Sequence, residues 1–306
     1  MEHFEVIIVG GGSAGLAASV ALARSRRNVL VIDEGRPRNA PAQHAHNVLG
    51  QEGISPLQLL ERGRAEAENY GAKIVAGAVD SLTGSLEQGF TVNVDQQAFT
   101  AERIVLATGL KDELPKIPGL QEAWGTSAIH CAYCHGWEVR DQEILVIGCG
   151  PMSAHQAMMF QQLSSKITFI NHDPNELSEE SAALLSRLEI PLVNQSVAAL
   201  EFDSDGQLAA AKLDNNERLR AQSVIVASRM NVHGELYQAL GGKLEEHPLG
   251  THIKVNETGA TEVPGVYAVG NASNLSAMVM AAAASGTLAG AAINADLLNA
   301  KVTQSG

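Results

Sequence analysis

Glu5-Val-Ile-Ile-Val-Gly-Gly-Gly-Ser-Ala-Gly15 joins a β-branched run to spaced glycines, and an alanine-rich stretch through Arg24 follows. This is G-x-G-x-x-G with a strand before it and a helix after it, the context the motif requires. Gly10 permits the tight turn, Gly12 lets a pyrophosphate approach the backbone, and Gly15 lets helix and strand pack closely. Ser13 and Ala14 lie where the helix opens, so the anion is expected on their side, at the helix N-terminus. A second apolar run, Asn28 to Ile32, ends at Asp33, which can accept a hydrogen bond from a ribose hydroxyl. A dinucleotide-binding fold is expected here.

The pattern returns in weaker form. Ile144 to Ile147 reads as a strand, Gly148-Cys-Gly-Pro-Met-Ser153 as the turn, and Ala154 to Leu163 as the helix. Gly148 and Gly150 keep their places, and Ser153 replaces the third glycine or alanine. The fold class expected is α/β, with two Rossmann-like dinucleotide-binding domains, the second inserted into the first.

Between the two motifs lies Cys131-Ala-Tyr-Cys-His-Gly-Trp-Glu138. If a helix starts here, positions i and i+3 share a face about 5 to 6 Å apart, and a tightened first turn brings the two sulfurs within disulfide reach. Cys131 and Cys134 can then open and close as a redox pair. A helix N-terminus and a C-x-x-C setting both lower a thiol pKa, and His135 can hold or release the proton as thiol and thiolate interconvert. The same spacing also serves covalent haem attachment, part of a structural zinc site, or an inert buried pair. Zinc needs four ligands, and only one further cysteine, Cys149, is present; no metal is expected.

Composition narrows the functional classes. The 306 residues are 45% hydrophobic with 29 glycines, enough for about two packed domains. A net charge of −13 argues against nucleic acid and against an anionic membrane surface, since both reward clustered Lys and Arg. Three cysteines make no disulfide framework, and a reducing, cytoplasmic setting is expected. Val6 to Ala23 lacks a basic segment before it and is interrupted by glycines, unlike a signal peptide. Ala277 to Leu298 is mostly alanine with polar residues inside, and reads as a buried helix packed closely against backbone rather than a membrane span.

Together these landmarks resemble the thioredoxin-reductase-like flavoproteins of the pyridine nucleotide disulfide oxidoreductase superfamily. The resemblance runs nearly the whole length. It includes Ala107-Thr-Gly109 after the strand Arg103 to Leu106, and Gly265-Val-Tyr-Ala-Val-Gly-Asn271 near the C-terminus. It implies an FAD domain in two pieces, residues 1–113 and 236–306, around a middle NAD(P)-binding-like domain, residues 114–235, that carries the C-x-x-C. By family position, Ala107, Thr108, Gly109, Gly270 and Asn271 contribute to the FAD site. So do Asn47, in the loop with His44 and His46, and Met278 and Val279 at the start of the last helix. Asn271 stands where the family usually has Asp. Cys134 is implied as the thiol facing the flavin and Cys131 as the one that exchanges with substrate. A homodimer is implied as well.

Two departures from the reductases carry chemistry. Relatives that use NADPH clamp its 2′-phosphate with a His-Arg-Arg-type segment, whereas this chain has Asn171-His-Asp-Pro174. Losing two charge-assisted hydrogen bonds of about 1.5 to 3 kcal/mol each weakens such a contact by roughly a hundred- to ten-thousandfold. NADPH is disfavoured, and NADH, which lacks that phosphate, stays compatible. Second, thioredoxin reductases typically carry Asp after the second cysteine, where this chain has His135-Gly-Trp-Glu138. That pattern resembles the flavin-dependent dithiol oxidases of small dithiol natural products. Three readings follow: oxidation of a small-molecule dithiol with O2 as acceptor, reduction of thioredoxin or a similar protein disulfide, and a flavin-binding redox sensor that turns over nothing.

Overall fold

In the computed structural model of the chain, which describes residues 1–304, the polypeptide forms two compact units. One comprises Met1–Lys111 and the segment from Met230 onward, and the other Asp112–Arg229.

The first unit begins with β1 (Glu2–Val9), α1 (Ser13–Arg24), β2 (Val29–Asp33), α2 (Pro56–Asn69) and β3 (Lys73–Ala76). An antiparallel extension follows, β4 (Val79–Ser85), β5 (Gly89–Val94) and β6 (Gln97–Leu106). The strand order is β3-β2-β1-β6-β5-β4, and Val266–Ala268 adds in parallel along the end of β6. Val6 and Ile8 face one core and Phe4 and Ile7 the opposite one, all at most 2% exposed. A sheet covered on both faces needs apolar residues at consecutive positions, which is why β1 shows no alternation. Gly89–Val94 does alternate in burial, as an antiparallel strand with one drier face should.

The C-terminal helix Val279–Gln304 lies along α1. An added Cβ at Gly286 would collide with the Ala14 carbonyl, and one at Gly290 with the Ala18 carbonyl and the Ala21 methyl. The small residues therefore let two helix backbones approach, as expected for this alanine-rich stretch. The helix is not buried all round, however. Ile293 and Leu297 are fully buried, whereas Met280, Leu288 and Leu298 are 43%, 60% and 52% exposed. Alanine dominates the composition so strongly that the sequence shows little periodicity, and the exposed side could not be read from it. None of the helices among the described residues is long and apolar enough to cross a membrane.

The second unit repeats the design with a fully parallel five-stranded sheet. In spatial order its strands are Leu192–Val193, Ile167–Ile170, Ile144–Ile147, Ser223–Val226 and Ala128–Ile129. A separate antiparallel sheet, Val197–Phe202, Leu208–Leu213 and Arg218–Arg220, packs into the same core. Its edge is tied down by Nδ1 of His172, which accepts from the Val197 N–H at 3.0 Å. Burial lowers the His172 pKa, which keeps this ring neutral and able to accept.

Gly290→Leu should drive a side chain into the α1 backbone and destabilise the protein by about 2 to 3 kcal/mol. Leu288→Gln, on the exposed side of the same helix, should change stability by less than about 0.5 kcal/mol. Thermal unfolding of both variants beside the parent tests the assignment of the two faces.

Candidate functional site

The turn after β1 is organised by close backbone contact. Gly10 has φ +104°, and an added Cβ there would strike the Ala107 carbonyl. A Cβ on Gly15 would overlap the Gly10 carbonyl and press on the Ala107 methyl. Gly12 differs: its absent side chain faces open space, with no atom within 4 Å of an added Cβ. The N-terminus of α1 has no side-chain cap, so the first N–H groups there, including those of Ser13 and Ala14, remain available to an anion. The open face at Gly12 and the uncapped helix end fit a dinucleotide pyrophosphate.

Asp33 closes the turn from β2. Its Oδ1 accepts from the Gly11 N–H at 3.0 Å, and its Oδ2 accepts from Nη2 of Arg64, on α2, at 2.9 Å. Sequence reading found Asp33 but missed Arg64, which follows no motif and is brought in only by the packing of α2. The carboxylate is thus held in place while keeping lone pairs for a ribose hydroxyl.

Of the other expected residues, Gly270 comes up against the helix that opens at this turn. An added Cβ on Gly270 would strike the Ala14 methyl, and the Gly270 N–H donates to Ser285 Oγ at 2.9 Å. Thr108 Oγ1 donates to the His233 carbonyl at 3.1 Å, and Gly109 adopts φ +67°. The Asn271 amide nitrogen donates to the carbonyls of Asn274, Leu275 and Ala277 at 3.0, 3.3 and 3.0 Å. A carboxylate has no hydrogen to give these oxygens, so Asn at this position orders the approach to the last helix in a way Asp could not. Met278 is 40% exposed, and Val279 packs on a small cluster of Ala45, Val48 and Ile54. The loop holding Asn47 (φ +58°) and the start of the last helix therefore meet. In that loop His46 Nδ1 bonds Glu52 at 2.8 Å, a partner that sequence reading missed, and this contact lowers the Glu52 pKa.

In the second unit Cys131 and Cys134 are joined by a disulfide with Cα atoms 5.3 Å apart. A short helix, Ala132–His135, begins just after Cys131, whose carbonyl accepts from the N–H groups of Cys134 and His135. The sulfurs are brought together by this single turn. An added Cβ on Gly136 would meet the Ala132 carbonyl and the Leu163 side chain, so the helix must end on a residue without one. Tyr133 and Trp137 are 69% and 65% exposed, and the Arg140 guanidinium covers the Trp137 ring with its centre 4.3 Å from the centroid.

The second glycine turn lies beside this one in sequence but is built differently from the first. A Cβ on Gly148 would strike the Phe169 ring. Ser153, 1% exposed, accepts through Oγ from the Cys149 N–H at 3.3 Å. The cleft at this turn is lined by Gly148, Gly150, Asn171, Glu176 and Ser181 among others, and the described residues lining it include no Lys or Arg. Asp173 sits beyond the strand Ile167–Ile170, its N–H donating to the Gly148 carbonyl at 2.9 Å. Burial pushes the Cys149 thiol up to about 11, with the charges of Glu176 and Asp173 adding to the effect, and its Sγ donates to the Ala227 carbonyl. Among the described residues no cluster of His, Cys, Asp or Glu could hold a metal ion.

Residues 4–286 match the family described as pyridine nucleotide-disulphide oxidoreductase, and the chain belongs to it. Thioredoxin reductase tcpT of Claviceps purpurea is 28% identical, over 96% of this chain and 94% of that protein. The crystal structure of HlmI superposes with a TM-score of 0.92 at 37% identity, covering 99% of this chain and 95% of that one. An oxidoreductase from Agrobacterium tumefaciens gives 0.91 at 32% identity, covering 97% and 99%. The protein is a thioredoxin-reductase-like flavoprotein oxidoreductase acting on disulfides, of a family that uses flavin and a nicotinamide cofactor.

A thiol with a pKa of about 11 is ionised to only about one part in a thousand at pH 8, so Cys149 should resist alkylation. After mild reduction of the native protein, iodoacetamide at pH 8 should label Cys131 and Cys134 and leave Cys149 unmodified until denaturation. Peptide mapping by mass spectrometry checks this, and early labelling of Cys149 would contradict the raised pKa of this partly buried thiol.

Proposed function

We propose that the protein is an FAD-dependent dithiol oxidase acting on a small-molecule dithiol, with O2 as the final acceptor. The observation that carries this reading is the second glycine turn. The cleft there offers a carboxylate and no lysine or arginine among its described lining residues, and Asp173 stands where NADPH-using relatives place cations. A 2′-phosphate therefore meets no favourable charge, and NADH is the only nicotinamide compatible with the turn.

Gly10, Gly12, Ser13, Ala14, Gly15, Asp33, Ala107, Thr108, Gly109 and Gly270 are proposed to hold FAD, with Asn47, Asn271, Met278 and Val279 completing its site. When bound, FAD supplies a two-electron acceptor that O2 can reoxidise. The chain's own part is thiol chemistry. A substrate thiolate attacks Cys131 Sγ and breaks the Cys131–Cys134 bond, leaving Cys134 as thiolate and a mixed disulfide at Cys131. The second substrate thiol, deprotonated, then attacks its own sulfur in that mixed disulfide and releases Cys131 as thiolate. His135, next to Cys134, accepts and returns the protons.

A second reading, reduction of a thioredoxin-like protein, is favoured by the names of relatives from Claviceps purpurea and Bacillus subtilis. A homodimer belongs to the proposal in either case, and exposed Leu288 and Leu298 leave apolar surface available to a second copy.

Cys131→Ser should abolish aerobic turnover of a small dithiol while leaving the yellow flavoprotein intact, because Cys134 alone can form no disulfide for the substrate thiolate to attack. Steady-state oxygen consumption and the flavin spectrum are the readouts. Turnover at the parent rate would sink the assigned thiol roles.

A further inference from the structure

Gln156 is a polar side chain that neither glycine turn nor the dithiol motif accounts for. It lies on the helix Ser153–Gln161, is 8% exposed, and its Nε2 donates to the His130 carbonyl at 2.9 Å. That carbonyl belongs to the peptide bond entering Cys131. Because it can only accept, the amide nitrogen must be the end facing it, and the orientation of the side chain is fixed. The other end, Oε1, is buried and has no hydrogen-bond partner among the described residues. Such an acceptor is costly, by about 1 to 3 kcal/mol, and an unsatisfied buried group in a native structure calls for an explanation.

His130 directly precedes the Cys131–Cys134 disulfide in the chain. With Cys131 and Cys134 oxidised, neither sulfur carries a hydrogen. Reduction adds two electrons and two protons, breaks the S–S bond and creates two S–H donors on the turn that Gln156 already holds at its entrance. We propose that Gln156 is a positioning residue that favours the reduced dithiol, its Oε1 accepting a hydrogen bond from one of the new thiols while Nε2 stays on the His130 carbonyl. Gln156 thereby makes the pair a better oxidant. The inference requires only that Cys131 and Cys134 cycle between disulfide and dithiol. It rests on the redox use of the pair proposed above, and on neither direction of flow.

The experiment equilibrates holoenzyme with dithiothreitol buffers under anaerobic conditions, traps thiols by alkylation, and counts reduced Cys131 and Cys134 by mass spectrometry. Gln156→Met, of similar size and without donor or acceptor, should shift the equilibrium about five- to tenfold toward the disulfide. An unchanged equilibrium in the folded variant, or a shift toward the dithiol, overturns the proposal. Should that variant not fold, selectively 13C-labelled glutamine in the parent gives the same answer. The Gln156 carboxamide carbon should move downfield on reduction as its oxygen gains a donor, and an unmoved signal overturns the idea. A wrong substrate or acceptor would alter turnover and leave both measurements untouched, so the two proposals fail separately.

Discussion

The contact between the backbone at Gly10, the start of α1 at Gly15 and the end of β6 at Ala107 is the constraint on which the first unit is built. An added Cβ at Gly10 or Gly15 would overlap carbonyl oxygens in this knot. Removing those side chains lets a strand, a helix and a neighbouring strand end converge at one point. Their convergence leaves the unpaired N–H groups of α1 facing the open space beside Gly12. The last helix is drawn into the same knot by Gly270 and Gly286, both of which approach Ala14. One steric condition, met by glycine and alanine, thus fixes the core packing and the open surface beside Gly12 together.

The second unit uses the same strand, turn and helix with different contacts at the turn. Its five-stranded sheet is parallel throughout and its turn has two of the glycines, with the Phe169 ring packed on Gly148 and the Ser153 hydroxyl holding the Cys149 N–H, where Asp33 holds the Gly11 N–H in the first turn. The acidic character of the neighbouring segment works in the same direction. The helix that starts at Ser153 carries Gln156, whose bond to the His130 carbonyl ties the second glycine turn's helix to the dithiol turn.

Much of this was legible from the sequence, because glycine requirements and thiol spacing are local. Gly10, Gly15 and the single turn between Cys131 and Cys134 follow from backbone sterics alone. Arg64, Glu52 and Gln156 were not legible, since each acts by meeting a residue on another element, and no short pattern records such a meeting. The exposed side of the last helix escaped for a different reason: alanine is equally at home inside and outside, so a run of it carries no information about which face is buried. At Asn271 the departure from the family was visible, but its cause, three carbonyls that need a donor, became readable only in the fold.

The central claim is that electrons enter this protein from a dithiol rather than from a nicotinamide. An anaerobic titration of the purified flavoprotein, following bleaching of the flavin absorbance with NADPH, NADH and a small dithiol in turn, tests it most directly. The account requires bleaching by the dithiol alone and recovery of the yellow colour on admitting air. Rapid bleaching by either nicotinamide would contradict it and make the protein a reductase.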